Sequence, residues 1–197
     1  MKRPPPGRSA GFSLLEIIGV LAILAILATV LTPNMVHSLD LATARAETDS
    51  LANLGTQLEN YVRDKGALPP QDTVLTDPRT WAVTLANYTG LNAAELTRNR
   101  RDVVRGYLIE STGNRAMIVS GLRAGLTVPS GTAVNDTQFQ QIWDTVDGQV
   151  PPVSSWAGWS AWAAYPDMVV IGRVNVLALR RTFTAILNNA DALGVTV

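Results

Sequence analysis

Apolar and polar positions change their spacing along this chain of 197 residues. From Phe12 to Leu31 almost every side chain is apolar, and between Ile17 and Leu31 none is charged. Roughly 20 residues of helix measure about 30 Å, the thickness of a bilayer's hydrocarbon core. The run therefore predicts a helix that is apolar on every side. Lys2, Arg3 and Arg8 precede it, so the basic leader is expected to stay cytoplasmic and the remainder to lie outside. Glu16 breaks the pattern in the first turn. A carboxylate there costs about 2–3 kcal/mol in lipid unless it meets a partner.

After Leu31 the spacing changes. Thr32-Pro33 removes a backbone N–H and crowds the preceding turn, so a kink or local melting is expected at Pro33. Beyond it Leu51, Leu54, Leu58, Tyr61 and Val62 recur at helical spacing on one face. Asp40, Arg45, Glu47, Asp49, Glu59, Arg63 and Asp64 are assigned to the remaining surface. Gly66 and Pro69-Pro70 are the stop signals. A single helix from about Phe12 to Lys65 would measure roughly 80 Å, lipid-facing first and amphipathic later.

Past Gly66 the elements are short. Asp77-Pro78 reads as an N-cap and first helical position, with a helix to about Tyr88 closed by Gly90. Asn92 opens another short turn. Gly106–Ile109 and Ala116–Ser120 flank Ser111-Thr112-Gly113-Asn114 and predict a β-hairpin. Asn135-Asp136 precedes a short helix through Gln141 and Trp143 to Val146. Met168–Ile171 predicts a strand. Val176, Leu179, Phe183, Ile186 and Leu187 fall at helical spacing, although a strand pair also fits. Arg173, Arg180 and Arg181 argue against a second membrane span.

Composition narrows the chemistry. Formal net charge is zero, so nothing in the charge balance points to nucleic acid or an acidic surface. There is no cysteine, which excludes a disulfide framework, a thiolate metal site and a cysteine nucleophile. His37, the only histidine, sits on the stalk helix without the partners a triad or a histidine metal site requires. Asp144 and Asp147 lie one turn apart, a spacing common on solvated faces and also compatible with calcium. Arg98, Arg100, Arg101 and Arg105 form a basic cluster, but no aromatic residues interleave to stack on bases, so nucleic acid is disfavoured. Trp156, Trp159, Trp162 and Tyr165 recur every third residue. They predict either an exposed aromatic binding patch or packing against the head's sheet.

A secretory signal peptide would share the basic start and apolar middle, but its A-x-A site, Ala42-Thr43-Ala44, lies well past the run. Gly11-Phe12-Ser13-Leu14-Leu15-Glu16 behind a short basic leader resembles the class III signal of type IV pilins and type II secretion pseudopilins. The resemblance covers about the first 30 to 50 residues. It implies cleavage by a prepilin peptidase between Gly11 and Phe12 and N-methylation of Phe12. The apolar helix would stay in the mature protein, and Pro33 would match the family's helix-bending proline. It also implies that Glu16 meets the Phe12 amine of a neighbouring subunit. A charge pair in a low-dielectric bundle is steeply distance-dependent and so fixes axial register, whereas apolar side chains slide.

The implied fold is α+β and pilin-like, a long N-terminal helix on a small, mainly antiparallel sheet. The implied organisation is a leader over 1–11, a transmembrane and filament-core helix over 12–32, its amphipathic continuation over 33–66 and a head over 67–197. The implied role is structural and non-enzymatic, a subunit of a type IV pilus or type II secretion pseudopilus. Its partners would be homologous pilin or pseudopilin subunits, the prepilin peptidase, an inner-membrane assembly platform and membrane lipid. It would be a single-pass inner-membrane protein with a periplasmic head, later part of a periplasmic or cell-surface filament. The missing cysteines favour a pseudopilin or minor pilin over a major pilin with a disulfide-closed loop. Glu16 disfavours the tip pseudopilin. No cofactor is implied; some major pseudopilins bind calcium in a C-terminal loop, but no loop here aligns with that pattern. A different-class alternative is a membrane-anchored periplasmic binding module that does not polymerise.

Overall fold

The computed structural model describes residues 14–152, 156 and 158–180, with the side chains of residues 30–34 excepted. Gly11, Phe12, Phe183, Ile186 and Leu187 lie outside the described residues. By its contacts the chain divides into two units, residues 1–42 and residues 43–197.

The described part of the first unit is the beginning of helix α1, which runs Leu14–Lys65. The helix is unbroken across Pro33, so the local melting expected from that residue is not seen. Proline forfeits one hydrogen bond, a local cost that does not end a helix already propagated over many turns on either side.

The second unit combines the rest of α1 with α2 (Thr80–Thr89), α3 (Ala93–Thr97), β1 (Gly106–Ile109), β2 (Arg115–Gly121), α4 (Asp136–Trp143), α5 (Trp159–Ala164) and β3 (Val169–Asn175). The three strands form one antiparallel sheet in the order β1-β2-β3. Tyr107 stands opposite Ile118, and Val119 opposite Ile171. A strand turns successive side chains to opposite faces, and the sheet uses both. Tyr107, Ala116, Ile118, Val170 and Val174 pack with Leu51, Leu54, Leu58 and Val62 of α1 and with Trp81 and Leu85 of α2. Leu108, Met117, Val119, Val169 and Ile171 pack with Phe139 and Ile142 of α4 and with Trp156 and Trp162. The central strand β2 is thus covered on both sides, which is why its sequence reads as a continuous apolar run and not as an alternation.

Helix and sheet approach closely at Gly172, where a Cβ would lie 2.9 Å from Leu51 Cβ. Gly66 ends α1 in the left-handed region at φ 74°, donating its N–H to Val62 O at 2.8 Å. Gly90 closes α2 in the same way.

Other boundaries differ from the sequence expectation. Asp77 is not the cap of α2. The helix starts at Thr80, and Asp72 Oδ1 accepts the Thr80 N–H at 2.7 Å from an upstream loop. Asp77 instead binds Arg98. α4 ends at Trp143, before Val146. Met168 closes a 3₁₀ turn, and the strand that follows runs on to Asn175. Residues 177–180 are helical.

Candidate assembly segment and its anchorage in the head

Leu14, Leu15, Ile17, Ile18, Val20, Leu21, Ile23, Leu24, Ile26 and Leu27 are all exposed. Because consecutive helical residues lie about 100° apart, this set covers the whole circumference. Glu16 lies in the first described turn of α1. Thr29 donates its hydroxyl to Ile26 O at 2.7 Å, so this polar group on the apolar run is satisfied within the helix. Among the described residues no helix is long and apolar enough to cross a membrane. The fully described part of the run, 14–29, measures roughly 24 Å as a helix, and the sequence carries it on through Val30 and Leu31.

Along α1, Glu47 is the first buried side chain among the described residues. It is 3% exposed and meets Arg105, itself 3% exposed, which stands just before β1. Arg105 Nε donates to Glu47 Oε1 at 2.7 Å and one terminal nitrogen to Oε2 at 2.9 Å. That same nitrogen donates to Ser50 Oγ at 3.0 Å. The other terminal nitrogen donates to Glu95 O at 3.0 Å and Leu96 O at 2.9 Å. A guanidinium has five N–H donors, and all five are used. This pairing fastens α1 to the end of α3 and the start of β1. Sequence reasoning missed it by placing Glu47 on the polar face and Arg105 in a surface cluster. The signal was available: Glu47 precedes Leu51, Leu54 and Leu58 at the spacing of the buried stripe.

The other arginines are also engaged structurally. Arg98 binds Asp77 and also Asp102, at 3.0 Å. Arg101 donates to Leu122 O at 2.7 Å and to Thr43 Oγ1 at 3.4 Å. Arg100 is exposed. The cluster is therefore not a continuous cationic face.

The aromatic series divides. Trp156 and Trp162 are buried, their rings 5.7 Å apart. Trp162 Nε1 donates to Gln149 O at 3.1 Å, and the half-buried Trp159 donates to Pro151 O at 3.2 Å. Tyr165 is exposed, with the Arg123 guanidinium 3.9 Å from its ring centroid. Packing describes the tryptophans, and α5 is an α-helix that spreads them around its axis. An exposed patch made of all four is not present.

His37 is exposed on α1. Asp144 accepts from Gln140 Nε2 at 2.7 Å, and Asp147 lies 3.6 Å from Arg173. Among the described residues no three His, Cys, Asp or Glu side chains gather as metal ligands. An open groove of about 630 Å³ runs past Glu110, Arg115, Asp136, Gln140 and Asp144, but these groups satisfy one another. Arg115 holds Glu110 at 2.5 and 3.1 Å and Gln140 Oε1 at 2.7 Å. The Arg115 hydrogen bonds keep the Glu110 carboxyl below its ordinary range. Ser111, through its hydroxyl and its N–H, does the same for Asp136. On the opposite face, burial pushes the Tyr107 hydroxyl up.

The long helix, apolar on all sides at one end and packed on an antiparallel sheet at the other, defines a pilin-like α+β protein. Residues 7–32 match the family described as the prokaryotic N-terminal methylation motif. The chain thus carries a prepilin-type signal, the mark of type IV pilins and pseudopilins. The motif implies anchoring of the N-terminal segment in the inner membrane before assembly, processing by a prepilin peptidase and assembly with pilin subunits. Neither the curated proteins nor the solved structures give a match to this chain.

Proposed function

We propose that the chain is a structural filament subunit, a pseudopilin or minor pilin of a type II secretion pseudopilus or type IV pilus. The reading rests on one conjunction. A methylation motif covers residues 7–32, and the part of α1 within it exposes apolar side chains on every side. Such a surface is stable only in lipid or against other helices, and burial stabilises it by roughly 25 cal/mol per Å².

In this reading the prepilin peptidase cuts between Gly11 and Phe12 and methylates the new Phe12 amine. The helix over 12–32 holds the precursor in the inner membrane with the head in the periplasm. On the assembly platform Glu16 of the incoming subunit meets the Phe12 amine of its neighbour. That pair stops the apolar helices at one axial register. Removing the carboxylate would leave an amine unpaired in a low-dielectric bundle, which costs more than the pair contributes. Pro33 forfeits a helical hydrogen bond and is the natural place for the helix to bend as subunits pack.

Mass spectrometry of the mature N-terminus tests processing. A methylated phenylalanine start supports it; an intact Met1 or a start near Arg45 overturns it. Glu16→Ala tests assembly. The filament reading predicts normal insertion and a folded head but loss of polymer or of methylation. An anchored module that never polymerises would be unchanged by this substitution.

A further inference from the structure

The sheet has two outer edges, and they are treated differently. At the β1 edge the Tyr107 N–H donates to Ser130 Oγ at 3.3 Å, and a Cβ on Gly106 would collide with Pro129 O. The loop around Pro129 thus covers that edge. The β3 edge has no such cover among the described residues. The Leu122 N–H donates to Met168 O and the Val176 N–H to Asn114 O. In this register, with Ile118 opposite Gly172, the even-numbered residues of β3 bond to β2. The N–H and C=O of Ile171 and Arg173 therefore point away from the sheet, and no described residue bonds to them. Open edges are normally guarded by proline or by outward charge. β3 has no proline, and its one charged side chain, Arg173, is turned back to donate to Trp143 O at 2.8 Å and to Thr145 O.

This edge faces a groove. About 250 Å³ of open space separates Ile171 and Arg173 from one flank of α1, lined there by Thr48, Ala52, Thr56 and Glu59. The Thr48 and Thr56 hydroxyls donate to Ala44 O at 3.0 Å and Ala52 O at 3.2 Å, so both are satisfied within the helix. Glu59 is half-buried and has no hydrogen bond or ion pair with any described residue. A helix flank beside a free strand edge is suited to an extended chain that adds as a further strand, with backbone bonds giving affinity and alternate side chains giving specificity. The small side chains of the flank leave room for apolar ones on the incoming strand, and the carboxylate calls for a cation. We propose that the groove between α1 and β3 binds an extended strand of a different protein, with a lysine or arginine of that strand over Glu59. A second copy of this chain is a poorer match. Among the described strands it could offer only the same edge, whose one cation is already committed. The proposal does not rest on the filament reading.

The test is amide hydrogen exchange, followed by ¹⁵N NMR on the dilute full-length chain in detergent micelles. The probes are acetyl-Val-Thr-Val-Lys-Val-amide, the same peptide with Glu in place of Lys, and the Lys peptide N-methylated at alternate residues. In the free chain the Gly172 and Val174 amides should exchange slowly and those of Ile171 and Arg173 fast. The Lys peptide should slow Ile171 and Arg173 saturably, by about tenfold or more, and bind more tightly than the Glu peptide. The N-methylated peptide should protect neither amide. Glu59→Gln should abolish the preference for Lys over Glu while the slow Gly172 and Val174 amides report an intact sheet. The proposal is overturned if Ile171 and Arg173 are already slow in the dilute free chain, which would mean that the chain covers its own edge. Protection that rises with protein concentration in the absence of peptide overturns it in favour of a second copy. Equal protection by the N-methylated peptide, no saturable protection by the Lys peptide, or a Lys preference that survives Glu59→Gln each overturn it as well.

Discussion

Leu14, Leu15 and Ile26 on α1 are 77%, 80% and 65% exposed, whereas Leu51, Leu54 and Leu58 on the same helix are 2%, 4% and 0% exposed. The same residue types thus serve opposite ends. In the head, leucines meet a sheet whose two faces are both covered, and the apolar surface is used up internally. In the first unit none of the described residues covers them, and such a surface is buried in lipid or against other helices. The two glutamates mark the same division. Glu47 sits at the start of the buried stripe and is neutralised by the chain's own Arg105. Glu16 sits where the apolar surface faces outward. The comparison teaches that one unbroken helix can be stabilised by its own fold over one stretch and by its surroundings over another.

The comparison breaks most sharply at the buried pair. Glu47→Ala leaves Arg105 charged and sealed in, and should destabilise the head by about 3–5 kcal/mol, read as a lowered denaturant midpoint. Glu16→Ala should leave that midpoint within about 0.5 kcal/mol while stopping assembly. Leu58→Ala should cost about 2–5 kcal/mol of head stability through the cavity it opens. Leu24→Lys should instead leave the head intact and oppose membrane insertion by about 2.5–3.5 kcal/mol, read as the fraction of chain recovered with membranes.

Smaller effects sharpen the picture within the head. Asn135 and Gln138 form a reciprocal cap on α4, with bonds of 2.9 and 3.0 Å. Asn135→Ala should cost about 1 kcal/mol. The Glu110 carboxyl is held below its ordinary range by Arg115. Its contribution is therefore complete above the unfolded-state value and disappears as pH falls through the lower folded-state value. Glu110→Gln should therefore lower stability at neutral pH and leave strongly acid pH little changed, which flattens the acid side of the stability–pH profile.

Much of this was legible because it is local. The stop at Gly66, the αL cap at Gly90, the hairpin around Gly113 and the cap at Asn135 each depend on a few adjacent residues, and the structure has them. What misled was remote partnership. Asp77-Pro78 has the local form of a helix start, but Asp72 reaches the Thr80 N–H and takes over the cap. Arg105 reads as one of a cationic group until the fold brings Glu47 to it across 58 positions. The tryptophans of the SSWAGWSAW stretch have a period but no stated face; the outer layer over β2 and β3 decides it for Trp156 and Trp162. The N-terminal signal was legible for the opposite reason. It is a linear address read by an enzyme, so its meaning does not wait on a fold.

The bidentate grip of Arg105 on Glu47 also has a mechanical consequence. A load drawn along α1 from its N-terminal side encounters that grip before the leucines deeper in the head. Leucine against valine yields smoothly under shear, but a forked ionic clasp with every proton spoken for does not creep; it holds until it lets go. Tension on the stem would therefore reach this clasp before it reaches the leucine stripe.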